Sequence, residues 1–283
     1  MEKISIIVPI YNGEKYLEKL VSKIKEQEIN KKIELIALVT KSKDNSLKKA
    51  KKLFDIVLEI EKFNHAKTRH EGALKSSGGI LVFITQDILP YDNNWLKNLI
   101  EPLNEKIIAS FSRQIAYEEH SDVEKIIREF NYPNKDRLCN KEMKEKNGRK
   151  NIFYSDASSA IIKEKFFELG GYDFEVPTNE DVYLANKIIE NGYSFLYASQ
   201  SRIWHSHQLS LKDTYKRYKD IGKFEKLYKK EIDFSETQTE GKRMTKYILK
   251  NLLLKYKFKS LIHFLMSTAI KFFAYKIGER DAF

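Results

Sequence analysis

The sequence contains a single cysteine, and none of its apolar runs is long enough to cross a membrane. Cys139 has no partner within the chain for a disulfide bond, which is typical of proteins in a reducing compartment. The longest apolar stretch, residues 261–275, is interrupted by His263 and Lys271, whereas a membrane span needs about 20 apolar residues. No charged and then apolar leader precedes the first apolar run, so we expect no secretory signal and a cytoplasmic protein.

Several catalytic motifs are absent as well. The sequence has no glycine-rich phosphate loop of the P-loop type and no suggestion of a Ser-His-Asp or Cys-His arrangement. It shows no internal repeat and no low-complexity segment. Its 283 residues, with 42% hydrophobic and 32% charged side chains, suit one large globular core with an appendage.

The formal net charge of +11 is concentrated near the C-terminus. Ten Lys and Arg residues but a single acidic residue, Glu279, lie between Gly241 and Arg280. The high isoelectric point therefore describes this basic segment rather than the body of the chain. For that reason we expect no nucleic-acid partner.

Short apolar segments alternate with amphipathic ones through the first 103 residues. The predicted strands are residues 4–10, 33–39, 56–60 and a fourth around Val82, Phe83 and Ile84 that ends before Asp87 in the stretch 80–87. The predicted helices are residues 14–27, 47–54, 65–77 and 93–103, with Gly78 and Gly79 ending the third. This alternation predicts an α/β fold with a parallel, doubly wound sheet. Because parallel strands end at one edge, the loops after the first, second and fourth strands predict a site there.

The second half of the chain is more polar. It predicts strands at 107–111 and 194–197 and helices at 122–131, 163–169 and 179–191, the last two ended by Gly170-Gly171 and by Gly192. Residues 135–150 are rich in charge and predict either a flexible loop or lid over a site, or a plain solvated loop.

Asp87 is the single carboxylate just past the end of the most apolar strand, in the stretch 80–87. At the carboxyl end of a buried strand, an acid is well placed to hold a divalent cation against a diphosphate. The alternative is that Asp87 only caps the helix beginning near Asn93 or Asn94.

Two other segments contain candidate ligand-binding residues. Tyr11 and Asn12 follow the first strand at Pro9, where exposed backbone and an aromatic ring can hold a planar base; an ordinary turn capped by Asn12 is the alternative. His65 and Arg69 are four residues apart at a helix start, which suits a diphosphate, unless both are solvated surface charges.

Glu180 and Asp181 are adjacent carboxylates in the first turn of a helix. Each raises the pKa of the other, while the helix dipole lowers the pKa of both, so the pair is a candidate for acid–base chemistry. The alternative is a common acidic helix N-terminus without a chemical role.

Several short motifs, taken in order, resemble family 2 glycosyltransferases of the GT-A fold. They are Val8-Pro9-Ile10-Tyr11-Asn12-Gly13, Thr85-Gln86-Asp87, Glu180-Asp181 and His205-Ser206-His207. Others are similar to the bacterial rhamnosyltransferase branch, namely Phe63-Asn64-His65 with Arg69, Lys216-Arg217-Tyr218, and Asp220-Ile221-Gly222. The resemblance covers roughly residues 1–225. It implies a Rossmann-like, mostly parallel sheet flanked by helices in a domain of residues 1–215, followed by a helical extension of residues 216–283.

The resemblance implies roles for particular residues. Asp181 would be the catalytic base, and Asp87 would bind Mg²⁺ or Mn²⁺ with His205 as a further ligand, although both histidines of the His205-Ser206-His207 motif also fit a structural role. The donor would be bound by Pro9, Tyr11, Asn12, Thr40, Asp44, His65, Arg69, Gln86 and Asp87. The acceptor would be bound by Glu180 and Arg113. Thr40 and Thr85 stand where the family has acids, so the base of the donor and the strength of the cation site are open.

The expected activity is that of an inverting glycosyltransferase using a nucleoside-diphosphate sugar. The resemblance favours dTDP-L-rhamnose as donor and a lipid-linked glycan of a bacterial surface polysaccharide as acceptor. A UDP-hexose donor and a non-catalytic sugar-nucleotide-binding subunit are the alternatives.

The basic C-terminal segment is amphipathic at helical period. Its apolar face is formed by Ile248, Leu249, Leu252, Leu253 and Tyr256. Its opposite face is formed by Arg243, Lys246, Lys250 and Lys257. This pattern predicts a helix lying on an anionic membrane surface, at the inner face of the cell membrane. A helical hairpin packed on the body, or on a second subunit, is the alternative.

Overall fold

Nine strands form one mixed sheet within residues 3–282, the part of the chain that the computed structural model describes. The strands are β1 (Lys3–Ile10), β2 (Lys32–Thr40), β3 (Ile56–Ile60), β4 (Ile80–Ile84), β5 (Leu89–Pro90), β6 (Ile107–Ile115), β7 (Arg137–Cys139), β8 (Ser158–Ile162) and β9 (Ser194–Trp204). The helices of the first half are α1 (Glu14–Lys25), α2 (Ser46–Leu53), α3 (His65–Lys75), α4 (Trp95–Ile100) and α5 (Asp122–Asn131). Those of the second half are α6 (Lys144–Asn147), a 3-10 helix (Gly148–Ile152), α7 (Lys163–Glu168), α8 (Glu180–Glu190), α9 (Leu211–Tyr228), α10 (Thr237–Leu254) and α11 (Phe258–Arg280).

The strand order is β3-β2-β1-β4-β8-β6-β9-β5, with β7 also paired to β9. Strands β1 to β4 are parallel, which confirms the predicted Rossmann-like arrangement of the first half. Strand β8 runs antiparallel to both β4 and β6, while β6 and β9 are parallel. The start of β8 therefore meets the ends of β1, β2, β4, β6 and β9 at one edge of the sheet, where α/β folds bind ligands.

Both faces of the central strands are buried. Val82 and Ile84 of β4 pack with α1 and α4 on one face, whereas Leu81 and Phe83 pack with α7 and α8 on the other. Because successive side chains of a strand point to opposite faces, this double burial explains the unbroken apolar run in the sequence. Helices on both sides hold the sheet edge, and the loops along it, in a fixed arrangement.

The structure differs from the sequence-based prediction at residues 135–150. The predicted loop or lid is wrong, because this segment contains β7, α6 and most of the 3-10 helix. Strand β7 pairs with β9 and places Cys139 in the core with no exposed surface. Strand β8 was not predicted, and β6 and β9 extend four and seven residues beyond their predicted ends.

Gly78 and Gly79 do not terminate α3, which already ends at Lys75. They instead let two segments approach, since a Cβ atom on Gly78 would lie 2.7 Å from the backbone nitrogen of Ser5. Gly170, Gly171 and Gly192 have positive φ angles and end α7 and α8 as predicted.

The three C-terminal helices pack on the body. Ile248 and Leu252 of α10 are buried with Ile126 of α5. Helices α9 and α11 cross at two glycines, because a Cβ on Gly222 would collide with the carbonyl of Tyr275 and a Cβ on Gly278 with that of Lys219. No helix within residues 3–282 is both long and apolar enough to span a bilayer. The predicted division at residue 215 falls inside α9 and stays a prediction.

Candidate active site

A cleft of about 400 Å³ opens at the carboxyl edge of the sheet. Six of the residues predicted from the sequence line it: His65, Arg69, Asp87, Glu180, Asp181 and His205. They come from the start of α3, the loop after β4, the first turn of α8 and the end of β9. The fold therefore brings together residues separated by up to 140 positions.

Asp87 and two histidines form a cluster with the composition of a metal site. Their ligand atoms all lie within 4.8 Å of one another. His205 Nε2 is 3.7 Å from Asp87 Oδ1, and His207 Nδ1 is 3.5 Å from Asp87 Oδ2. Ligand atoms held at about 2.1 Å from one ion are about 3–3.5 Å apart, so small side-chain adjustments would accommodate a cation. Asp87 does not cap α4, because the N-cap residue is Asn94, whose N–H donates to Asp92 Oδ1.

Gln114 fixes the orientation of His205. Its Oε1 accepts hydrogen bonds from His205 Nδ1, at 2.8 Å, and from Arg128, while its amide nitrogen donates to Ser155 Oγ at 2.9 Å. Because Gln114 Oε1 is an acceptor, the His205 proton is assigned to Nδ1, leaving the lone pair on Nε2. That Nε2 atom is buried and has no hydrogen-bond partner. An oriented imidazole with a free, buried nitrogen is what a metal ligand requires.

Burial keeps both imidazoles neutral. It lowers the pKa of His205 well below its ordinary value, and the neighbouring His207 and Arg128 act in the same direction. Burial also lowers the pKa of His207, although Asp87 opposes this effect. Neutral imidazoles are competent to bind a cation, so the residues present fit a divalent metal ion.

Asp181 is a half-buried residue that lines the same cleft. Its Oδ1 accepts a hydrogen bond from the Val182 backbone N–H at 2.8 Å, and its Oδ2 accepts a longer one from the Asp156 N–H at 3.3 Å. Desolvation, together with the carboxylates of Glu180 and Asp156, raises the pKa of Asp181 to about 8. A carboxyl group with a pKa near neutrality is suited to proton transfer.

Arg69 lies beneath the cleft and binds two acids there. Its guanidinium is 3.1 Å from Glu180 Oε1 and 3.6 Å from Asp156 Oδ2, and it also donates to the His65 carbonyl. Only 3% of Arg69 and 5% of Glu180 are exposed. This arrangement differs from the predicted phosphate-binding pair, because Arg69 is committed to carboxylates and only His65 of the two is exposed.

Asp156 is a buried acid that the sequence analysis missed. It accepts hydrogen bonds of 2.6 Å from Ser159 and from the Tyr172 hydroxyl. It precedes β8, and because that strand was not predicted, nothing in the sequence placed Asp156 at the site. Residues 155–157 thus join the metal cluster, through Gln114, to the Asp181 carboxylate.

The predicted donor-binding residues near β1 lie next to the cleft, along the same edge. Gln86 links the loop after β4 to the turn after β1, since it accepts a hydrogen bond from the Tyr11 N–H at 2.9 Å and donates to the Tyr11 carbonyl at 3.0 Å. The Tyr11 ring remains 55% exposed, and Pro9 is half-buried at the end of β1. Gln86 thus braces the backbone that presents Tyr11.

Asn12 and Asp44 hold this edge together. Asn12 has a φ of 45° and accepts a hydrogen bond from the Lys43 N–H, so it does not cap α1 as the alternative had it. Asp44 accepts from the Glu14 N–H at 3.0 Å and from Ser46. Thr40, at the end of β2, has a buried hydroxyl without a hydrogen-bond partner.

Arg113 is not brought to the site, which corrects its prediction as an acceptor-binding residue. It is absent from the cleft lining within residues 3–282. Side chains alternate along β6, so Gln114 faces the cleft while Arg113 lies on the other face. There burial raises the pKa of Tyr197, and the charge of Arg113 opposes that rise. The prediction placed the end of this strand at residue 111 and therefore had no alternation to follow.

The fold is that of the GT-A glycosyltransferases. A solved mannosyltransferase from Pyrobaculum calidifontis, in complex with GDP-Man and Mn²⁺, superposes on the chain with a TM-score of 0.66 at 14% sequence identity. The superposition covers 98% of this chain and 86% of that one. Residues 5–170 match the model of glycosyl transferase family 2, and the chain belongs to that family.

Two O-antigen chain rhamnosyltransferases are similar to nearly the whole chain. RfbN of Salmonella typhimurium is 30% identical, with 98% of this chain and 90% of that protein covered. WbaN of Salmonella anatum is 27% identical, with 99% of this chain and 90% of that protein covered. The similarity therefore extends through the C-terminal helices as well as the sheet.

Proposed function

We propose that this glycosyltransferase moves L-rhamnose from dTDP-L-rhamnose, with inversion, to a lipid-linked glycan of a bacterial surface polysaccharide. The observation that carries the proposal is that one cleft holds both the Asp181 carboxylate and the Asp87–His205–His207 cluster. The rhamnosyl donor is supported by the similarity to two O-antigen rhamnosyltransferases over almost the full length of the chain.

Asp181 takes the proton from the acceptor hydroxyl as that oxygen attacks the anomeric carbon. Of the two adjacent acids, Asp181 is the one that remains partly exposed, whereas Glu180 is buried against Arg69. The Val182 and Asp156 N–H groups hold the Asp181 carboxylate in place. Attack from the face opposite the leaving diphosphate inverts the anomeric configuration.

Asp87, His205 and His207 are the residues that would hold the divalent cation. When bound, the cation would neutralise charge on the leaving diphosphate. Two nitrogen ligands and one carboxylate suit Mn²⁺ better than Mg²⁺, which prefers oxygen ligands. Gln114 keeps the imidazole of His205 turned towards the site.

Tyr11 and Thr40 would bind the nucleobase. Thr40 lies one position beyond the last residue pair between β1 and β2, beside Tyr11. The backbone at the end of β2 would meet the polar edge of a pyrimidine such as thymine or uracil, and the exposed Tyr11 side chain offers a stacking surface. A UDP-hexose donor is consistent with the same features and is the second candidate.

A donor panel tests the proposal. We expect transfer from dTDP-L-rhamnose with Mn²⁺ to exceed transfer from UDP-glucose, UDP-galactose and GDP-mannose by at least about tenfold in kcat/KM, since one lost polar contact costs on the order of 1.4 kcal/mol. Product anomers are assigned by NMR. Efficient transfer from a UDP-hexose would replace the proposed donor, and retained anomeric configuration would remove the single-displacement mechanism.

We also infer that α11 lies on an anionic membrane surface. One stripe of this helix consists of large apolar side chains that are more than half exposed: Phe258, Ile262, Leu265, Met266, Phe272 and Phe273. We refer to these six residues as the α11 stripe. Exposed Lys255 and Lys259 border it, which gives the charge complementarity that an anionic bilayer needs. The opposite face of α11 is packed on the body. The apolar face predicted for the membrane on α10 is wrong in part, because Ile248 and Leu252 are buried against the body.

Substituting Phe272 and Phe273 by Ser is expected to lower binding to phosphatidylglycerol vesicles by at least about tenfold, because burying one Phe is worth about 1.5–3 kcal/mol. Co-sedimentation measures the bound fraction. Leu74→Ser, at an exposed leucine on α3, is the matched control and should bind as the parent chain does. Equal binding of the double variant would exclude this surface. A dimer in sedimentation velocity that only the stripe variant disrupts would assign it to a second copy of the chain.

A further inference from the structure

Some cationic side chains of the cleft form ion pairs with neighbouring acids, and others do not. Arg69 is bound to Glu180 and Asp156, and Arg128 is bound to Glu124 at 2.7 Å. Neither is available to an anionic ligand without breaking an existing ion pair. Two further cations line the same cleft, Lys216 and Arg217, and both come from α9 rather than from the sheet.

Lys216 and Arg217 have no ion pair or hydrogen bond from their side chains within residues 3–282. Asp213 and Asp220 also line the cleft, four residues before and three residues after Arg217 on the same helix. Although that spacing allows an ion pair, neither carboxylate has an oxygen within 4.0 Å of the guanidinium. Both cationic side chains are exposed towards the opening.

Arg217 lines the same cleft as Asp87, His205 and His207. An anion bound in that cleft can therefore contact both the metal cluster and Arg217. A diphosphate carries negative charge at two phosphorus centres and matches such an arrangement, because the planar guanidinium can donate two parallel hydrogen bonds to phosphate oxygens.

The position of α9 is fixed independently of any ligand. Gly222, one turn after the pair, packs its backbone directly on Tyr275 of α11. The contact is too close for a side chain, so α9 cannot slide along α11 without a collision. A cationic pair on a helix held in this way is preorganised for a ligand.

We propose that Lys216 and Arg217 form a diphosphate-binding pair that the C-terminal helices supply to the catalytic cleft. The inference rests on the proposed function for its ligand class, since a nucleoside-diphosphate sugar and a lipid diphosphate both carry the group. The donor and the lipid-linked acceptor are therefore two sources of the same chemistry. The pair stabilises the diphosphate from the side opposite the sheet.

Arg217→Gln is expected to weaken binding of dTDP in the presence of Mn²⁺ by about 10- to 100-fold, the loss typical of charge-assisted hydrogen bonds. Lys216→Gln should show a smaller loss, because an ammonium makes a point contact. Arg217→Lys should recover part of the affinity. Isothermal titration calorimetry measures the affinity of each variant for dTDP, UDP, inorganic pyrophosphate and farnesyl diphosphate. Lys212→Gln, an exposed lysine in the first turn of α9, is the matched control.

Three measurements distinguish a diphosphate-binding role from a merely structural one, because they should be the same in the variants and the parent chain. These are the melting temperature, the affinity for Mn²⁺ alone, and the weak binding of thymidine, which lacks phosphates. A loss confined to dTDP, UDP and pyrophosphate assigns the pair to the donor. A loss confined to farnesyl diphosphate and pyrophosphate assigns it to the acceptor.

Unchanged affinity for all four anions in the Arg217→Gln variant would overturn the inference. So would a loss matched by Lys212→Gln, because it would reflect general surface charge. If the parent chain binds dTDP through Arg217 but transfers no rhamnose, the proposed function fails and this inference stands. If it transfers rhamnose and Arg217→Gln behaves as the parent does, only this inference fails.

Discussion

Replacing Asp181 by Asn is expected to lower kcat by about 10²–10⁴-fold, the usual contribution of a general base. The amide cannot take the proton from the acceptor hydroxyl. Its oxygen can still accept the hydrogen bond from the Val182 N–H, while the longer contact to the Asp156 N–H is lost. Donor binding should therefore be retained. Steady-state kinetics give kcat, and titration calorimetry gives the Kd for dTDP.

Asp173→Asn is the control for this variant, since Asp173 is an exposed aspartate outside the cleft. It should turn over at the parent rate. Normal turnover by Asp181→Asn would remove Asp181 as the base. Loss of both kcat and donor binding would instead indicate that Asp181 positions the donor.

The same carboxyl group predicts how activity depends on pH. A base with a pKa of about 8 in the free enzyme is protonated at lower pH, so kcat/KM should rise about tenfold per pH unit up to pH 8 and then level off. The raised pKa also destabilises the folded state. Because unfolded Asp181 ionises near pH 4 and folded Asp181 near pH 8, its contribution to stability falls as the pH rises through that interval.

Asp87→Asn is expected to reduce turnover by about 10²–10³-fold, the loss found when one preorganised electrostatic group is removed from a reaction centre. Asp87 supplies the only carboxylate in the cluster with His205 and His207. Its loss should weaken Mn²⁺ binding on the order of 100-fold, because cation affinity depends strongly on ligand charge. Mn²⁺ binding is measured directly by electron paramagnetic resonance, independently of activity.

Two comparisons sharpen this expectation. Glu119→Gln, at an exposed acid near the cleft, should leave Mn²⁺ binding unchanged. His205→Ala should weaken Mn²⁺ binding more than His207→Ala, since only His205 is oriented by Gln114. Full activity of Asp87→Asn in a chelator would show that the cluster holds no functional cation.

The first half of the fold was predictable because its signal is local. Strand β4 is a continuous apolar run, β1 is apolar except for Lys3 and Ser5, and α1 carries its apolar residues at helical spacing. Strands β7 and β8 escaped prediction for the opposite reason. Polar or charged residues begin both strands, and only pairing with β9, or with β4 and β6, makes them strands.

The candidate site was predictable where a residue type has few alternatives. A lone carboxylate after a buried strand and a pair of acids at a helix start indicated Asp87 and Asp181. The environment of Arg69 was not predictable, because the same local sequence fits an arginine that binds phosphate and one that is buried between Glu180 and Asp156. Burial depends on neighbours that are distant in the chain.

The glycine crossing of α9 and α11 has a geometric consequence for an enzyme resting on a bilayer. Helix α11 has 23 residues and is about 35 Å long, and its backbone meets that of α9 without intervening side chains. The two helices must therefore tilt together as one rigid unit. If α11 lies on the membrane, the packing of α9 on α11 would fix the distance of the cleft from the membrane surface. Only sugars at that distance along the growing glycan would then reach Asp181.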